Sequence, residues 1–157
     1  MSSPIRKINL DSIPWKKFAL EGPVELEFRD PGRAVGSLKI GLRIQKVQPG
    51  KQSSRLHRHL YQEEILIVMS GEGFLRHGEE KVKVKPGDCI CYHAGDESPH
   101  TFVAEGKDPL VIYAFGDRCN HEICQYPEVG LAFVEGLNQE VKIENKPPKT
   151  LMAELDQ

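Results

Sequence analysis

Residues 57–64 read H-R-H-L-Y-Q-E-E, two histidines one residue apart followed by an acidic pair, and a further histidine opens the segment H-T-F-V-A at position 100. Imidazole and carboxylate are the ligand types of borderline transition metals. On a β-strand residues i and i+2 share a face, so His57 and His59 present two rings to one point. Glu64 opens the next apolar run after a connection short enough for two neighbouring strands to meet at one end, so its carboxylate can close on the same point. Its strand-mates on that face, Leu66 and Val68, make the space below apolar and dry, which strengthens every charge interaction there. His100, sharing a face with Phe102 and Ala104, offers a fourth donor. Three neutral imidazoles and one carboxylate suit zinc, manganese, iron, nickel or copper and suit calcium or magnesium poorly. A single strand-end histidine is more often a hydrogen-bonded bystander; four donors in this order favour the metal reading.

The elements that must position these groups read as strands. Turn signals recur every 8–12 residues: "DPG" at 30–32, "QPG" at 48–50, "SGEG" at 70–73, "KPGD" at 85–88, "HAGDESP" at 93–99 and "EGKDP" at 105–109. Between them lie short runs rich in Val, Ile, Leu, Phe and Tyr, such as "LKIGLRIQKV", "EILIVM", "CICY" and "PLVIYAF". That cadence predicts an antiparallel β-sandwich or barrel. "EKVKVKPGD" alternates valine with lysine and reads as a strand with one wet face. "ILIVM", apolar throughout, reads as a central strand covered on both faces. The one helix candidate is "KTLMAELDQ" at 149–157. Residues 117–157 change character and read as an irregular appendage that wraps the barrel or a partner subunit.

Length and composition set outer limits. A chain of 157 residues fits a single domain, 1–157, with one core. Its 21 Lys and Arg against 23 Asp and Glu give a net charge of -2, which leaves no excess of cations for a nucleic-acid backbone or an anionic bilayer. The first residues build no signal-peptide core and no apolar run reaches the ~18 residues of a membrane span, so a cytoplasmic location is expected. Cys89, Cys91, Cys119 and Cys124 form two local clusters rather than a spread framework, and disulfides are not expected.

The run from Gly50 resembles the first motif of the cupins, G-x5-H-x-H-x3-4-E-x6-G. Six residues separate Gly50 from His57 where the pattern has five; His57, His59, Glu64 and Gly71 then fall into place. Glu64 rather than Glu63 leaves six residues before Gly71. The second motif, G-x5-P-x-G-x2-H-x3-N, is similar to "GDCICYHAGDESPHTFVA". Gly87 and Gly95 fit, His93 stands where proline is usual, His100 follows Gly95 after four intervening residues rather than two, and Ala104 replaces the final Asn. The resemblance covers about residues 36–116, and "GDR" at 116–118 with "YPE" at 126–128 is similar to a group of small single-domain cupins. It implies an all-β fold, the double-stranded β-helix or jelly-roll barrel, with an irregular C-terminal appendage. It also implies one divalent metal ion (Zn, Mn, Fe or Ni) on His57, His59, Glu64 and His100, and a homodimer.

Such an ion keeps open positions that a small polar or anionic substrate with two adjacent oxygens can fill. One reading is an enzyme using the ion as a Lewis acid on a chelating oxygenated compound, of isomerase, decarboxylase or lyase type, such as a sugar-phosphate isomerase. A second is a metal-dependent dioxygenase; a third is a non-catalytic module that binds a small molecule or the metal. Fold similarity does not choose among them. No catalytic acid or base is assigned among Tyr61, Tyr92, His93 and Tyr113. Arg43 and Gln45 share one face of their strand, and Arg43 is a clamp for a carboxylate or phosphate if that face is the inner one. Cys119, His121 and Cys124 read as a loop with incidental thiols, Cys89 and Cys91 as two residues on one strand face, His93 as a turn residue and His77 as solvent-exposed.

Overall fold

The computed structural model describes residues 4–143, so the helix expected at 149–157 lies outside the described residues. In chain order the strands are β1 (Lys16–Ala19), β2 (Glu25–Arg29), β3 (Ile40–Val47), β4 (Arg58–His59), β5 (Glu64–Ser70), β6 (Glu72–His77), β7 (Glu80–Val84), β8 (Cys89–Tyr92), β9 (His100–Glu105), β10 (Leu110–Asp117), β11 (Ile123–Tyr126), β12 (Leu131–Val134) and β13 (Gln139–Lys142). One short helix, α1 (Pro31–Ala34), follows β2; its Asp30 cap accepts a hydrogen bond from the Arg33 amide. The remaining helical pieces are single 3-10 turns. Among the described residues no helix is long and apolar enough to cross a membrane.

The chain is an all-β jelly roll. One sheet runs β1-β2-β3-β10-β5-β8, and all its pairings are antiparallel. Opposite it stand β7-β6-β9 and β13-β12-β11-β4, linked where His57, just before β4, bridges His100 of β9. Alternation along each strand sends every second side chain between the sheets. Val47, Val68, Phe102, Ala104, Leu110 and Ile112 meet there, each at most 2 % exposed. Burying each of the larger ones contributes about 1.5–3 kcal/mol, enough to fix the register of the strands that carry the site.

"ILIVM" is interior to its sheet, between β10 and β8, but it is not covered on both faces. Leu66 and Val68 are buried, while Ile65 and Met69 on the outer face are 39 % and 47 % exposed. The connection from β5 to β6 is Gly71 alone, at φ 78°. A Cβ there would run into the Pro109 carbonyl oxygen, so the turn needs glycine both for its backbone and for the close approach.

Two stretches are more regular than the sequence suggests. β1 and β2 extend the six-stranded sheet and place Phe18, Leu26 and Phe28 against the barrel interior. Residues 123–142, inside the expected appendage, form the meander β11–β13. β11 pairs with β4, Cys124 opposite His59 and Gln125 opposite Arg58. These strands are short and separated by tight 3-10 turns, which is why their alternation is hard to see in the sequence.

Candidate metal centre

His57 and His59 flank Arg58 at β4, Glu64 is the first residue of β5 and His100 the first of β9. All four donors therefore sit at strand ends, and they gather at one end of the barrel. The ring centroids of His57 lie 5.0 Å from those of His59 and 4.6 Å from those of His100, with His59 and His100 6.3 Å apart. His100 Nε2 stands 3.0 Å from Glu64 Oε2. Two ligands at right angles on one ion with bonds of ~2.1 Å are also about 3 Å apart, so this pair is spaced as neighbouring ligands are.

The tautomers of two histidines are set from behind. His57 Nδ1 is 3.0 Å from the Arg55 carbonyl, which can only accept, so Nδ1 carries the proton and Nε2 keeps its lone pair. His59 Nδ1 donates to Glu122 Oε1 at 3.1 Å, freeing its Nε2 in the same way. Glu122 is itself held: Oε1 also accepts from the Leu60 amide and Oε2 from the Tyr61 amide, at 3.1 and 3.0 Å. A carboxylate behind a ligating imidazole orients the ring and raises its basicity. His100 has a buried Nδ1 with no hydrogen-bond partner among the described residues and a ring stacked on Tyr92 at 3.7 Å. This donor set fits a divalent transition metal.

Burial, helped by the neighbouring charges of His100 and His59, pushes the His57 imidazole down to about 3, so it stays neutral. Burial works against a charged His59 as well, yet the Glu122 hydrogen bond and the carboxylates of Glu64, Glu122 and Asp117 outweigh it and raise its pKa. For Glu64 burial acts upward, and the His100 hydrogen bond with the three imidazoles brings the net shift below the usual carboxylate value. One ring is kept neutral and one carboxylate ionised, the states that ligation requires.

The centre opens into a cavity of about 720 Å³. Its walls include Arg33, Arg43, Arg118, Glu122, Cys124 and Tyr126. Register settles the direction of Arg43. It pairs with Ala114, which pairs with the buried Leu66, so Arg43 and Gln45 are on the inner face.

Residues 43–116 match the family described as Cupin domain. Over that stretch the chain is a cupin domain. The likeness extends to solved structures. A sugar phosphate isomerase of the cupin superfamily from Silicibacter pomeroyi is 24% identical with a TM-score of 0.79, over 92% of this cupin and 97% of that chain. A candidate sugar phosphate isomerase from Acidithiobacillus ferrooxidans is 22% identical with a TM-score of 0.80, over 90% of this cupin and 91% of that chain. An uncharacterized protein of Methanocaldococcus jannaschii is 31% identical over 81 residues, 52% of this cupin. The cupin spans 56% of the length of that curated relative.

The structure brings His57, His59, Glu64 and His100 together, and leaves Glu63 exposed on the outer side. It takes Tyr61, Tyr92, His93 and Tyr113 out of the cavity wall, although Tyr92 backs His100. His77 is not simply solvent-exposed: it is half-buried, and its Nδ1 shares a hydrogen bond of 3.1 Å with the Tyr92 hydroxyl. Sequence reasoning missed Glu122 and set Cys124 aside as an incidental loop thiol; Cys124 lies instead within β11, and both residues are buried beside the histidines. The only sign of them is "HEIC", a lone acid and a thiol leading into a short apolar strand.

Proposed function

We propose that this cupin is a metal-dependent enzyme acting on a small, chelating, anionic oxygenated compound, with isomerisation of a sugar phosphate as the leading reaction. The observation that carries this reading is the convergence of three imidazoles and one carboxylate at one end of a cavity of about 720 Å³. His57, His59, Glu64 and His100 would hold the ion. The ion would act as a Lewis acid, polarising a substrate carbonyl so that the proton on the adjacent carbon becomes acidic.

The rest of the chemistry falls to the chain's own residues. A cavity of this size fits a molecule of a few to a few tens of heavy atoms. Asp30 is approached by Arg33 at 3.3 Å, by Arg43 at 3.8 Å and by Arg118 at 3.9 Å. Three guanidinium groups around one carboxylate give this corner of the cavity a local excess of positive charge, suited to a phosphate or carboxylate, while Glu64, Asp117, Glu122, Glu135 and Glu140 make the rest of the wall acidic. Leu66, Phe102 and Ala114 line the inner wall and keep water from the reacting carbons. Two structures of the same fold bear the name sugar phosphate isomerase, and the substrate class proposed here is taken from that name together with the guanidinium cluster at Asp30.

The test is interconversion of aldose and ketose phosphates, followed by NMR, with protein loaded with manganese, zinc or cobalt and with chelated protein. Turnover that needs both metal and phosphate supports the reading. Metal-loaded protein that turns over none of the series, or consumes oxygen with a chelating substrate, overturns it.

A further inference from the structure

The four expected ligands are not equally close. Among the described residues the donor atoms of His57, Glu64 and His100 lie within 4.8 Å of one another, and so do those of His57, His59 and Cys124. His57 belongs to both triplets. The second is built by strand pairing: Cys124 is the cross-strand partner of His59, so the two side chains leave β4 and β11 on the same face. The Cys124 thiol is buried, at 8 % exposure, on the wall of the cavity that contains the histidines. His57 and His59 have their Nδ1 atoms tied to Arg55 and Glu122, which leaves Nε2 as the donor each can offer beside the sulfur.

We infer that Cys124 is a ligand of the ion, giving the centre a nitrogen and sulfur side as well as a nitrogen and oxygen side, and selecting zinc, cobalt or a softer ion over manganese. The inference rests on the metal-centre reading above and adds to it the identity of a donor and the class of ion. Thiolate prefers borderline and soft metals, whereas a site of imidazole and carboxylate alone also serves harder manganese. On binding, the thiol proton leaves to solvent as the sulfur–metal bond forms, so no oxidant or reductant is involved. Glu122, just before β11, and Cys124, within it, stand two residues apart and divide the work: Glu122 orients His59 from behind and Cys124 meets the ion in front.

Cobalt(II) is the probe, because sulfur ligation adds a near-ultraviolet charge-transfer band that nitrogen and oxygen ligands do not give. A second group, Glu63, Cys91 and His93, lies exposed on the outside and could also take cobalt. The experiment therefore uses the full chain carrying Cys89→Ser and Cys91→Ser. With Cys124 present, one bound cobalt with the charge-transfer band is expected. With Cys124→Ser added, the ligand-field bands of one bound cobalt remain and the charge-transfer band disappears, while zinc affinity falls at least about tenfold, the lower end of what even groups behind the ligands cost. Manganese affinity stays unchanged. Bound cobalt without that band while Cys124 is present overturns the inference and leaves the metal centre standing; no bound cobalt at all removes both. If Cys124→Ser fails to fold, X-ray absorption of the zinc-loaded parent decides by the presence or absence of sulfur at about 2.3 Å.

Discussion

Replacing Glu122 with glutamine removes one charge and one acceptor while keeping the side chain's shape. The carboxylate of Glu122 serves three donors: His59 Nδ1 and the Leu60 amide on Oε1, and the Tyr61 amide on Oε2. In Glu122→Gln the single amide oxygen can keep the two donors on one side, and the new NH2 then faces the Tyr61 N–H. At least one hydrogen bond to a charged group is lost, worth about 1.5–3 kcal/mol of folding stability. A second effect acts through His59. Without the carboxylate its ring is less basic and less firmly oriented, and metal affinity is expected to fall about 10–100-fold, as for other groups behind ligating histidines. Urea denaturation of chelated protein measures the first effect and competition titration with a zinc indicator the second. The two separate in a His59→Ala background: there Glu122→Gln still destabilises through the backbone amides but no longer changes affinity. A Glu122→Gln protein that matches wild type in both stability and zinc affinity refutes the argument that Glu122 orients His59.

Three further outcomes follow from the same geometry. Unfolded histidine protonates near 6.5, while burial holds His57 down to about 3, so the folded chain resists a proton that the unfolded chain accepts. Its contribution is lost as pH falls from 6.5 towards 3, at about 1.4 kcal/mol per pH unit, and urea midpoints of chelated protein should drop steeply there. His59, with a raised pKa, has the opposite sign, its contribution being present below 6.5 and lost as pH rises through its folded value. His57→Gln is expected to flatten the acid slope, and an unaltered slope contradicts the assignment. Gly71→Ala combines a left-handed backbone with contact against the Pro109 carbonyl and should cost at least about 2 kcal/mol in denaturant titrations; a loss under about 0.5 kcal/mol contradicts that account. Arg43→Ala is expected to weaken a phosphate-bearing ligand about ten- to a hundredfold by calorimetry while sparing its uncharged analogue, and equal loss for both ligands would remove Arg43 from anion recognition.

The parts of the site legible in the sequence are those governed by local rules. His57 and His59 share a face because a strand repeats every two residues, and Glu64 is distinguished from Glu63 by the six residues that separate it from Gly71 in the motif the run resembles. His100 begins a strand whose alternate residues, Phe102 and Ala104, are core. What escaped depends on pairing between distant segments. Arg43 faces inward only because it pairs with Ala114, and no feature of "LKIGLRIQKV" fixes that. Glu122 and Cys124 reach the histidines through the pairing of β11 with β4, across a separation of more than sixty positions, and the segment that carries them reads by itself as a loop with incidental thiols. The apolar run 65–69 reads as doubly covered because hydrophobicity reports the residue and not whether a second layer exists; Ile65 and Met69 are apolar and exposed. His77 reads as solvent-exposed from its hairpin turn, whereas its bond to Tyr92 comes from β8.

The central claim is that His57, His59, Glu64 and His100 hold one metal ion. It is tested most directly by elemental mass spectrometry of untagged protein purified without chelators, compared with the His57→Ala, His59→Ala double variant prepared in parallel and checked for folding by circular dichroism. The account predicts close to one divalent transition-metal ion per wild-type chain and loss of that ion from a double variant that still folds, because the core strands do not depend on the two rings. Full retention of the metal in the double variant contradicts it.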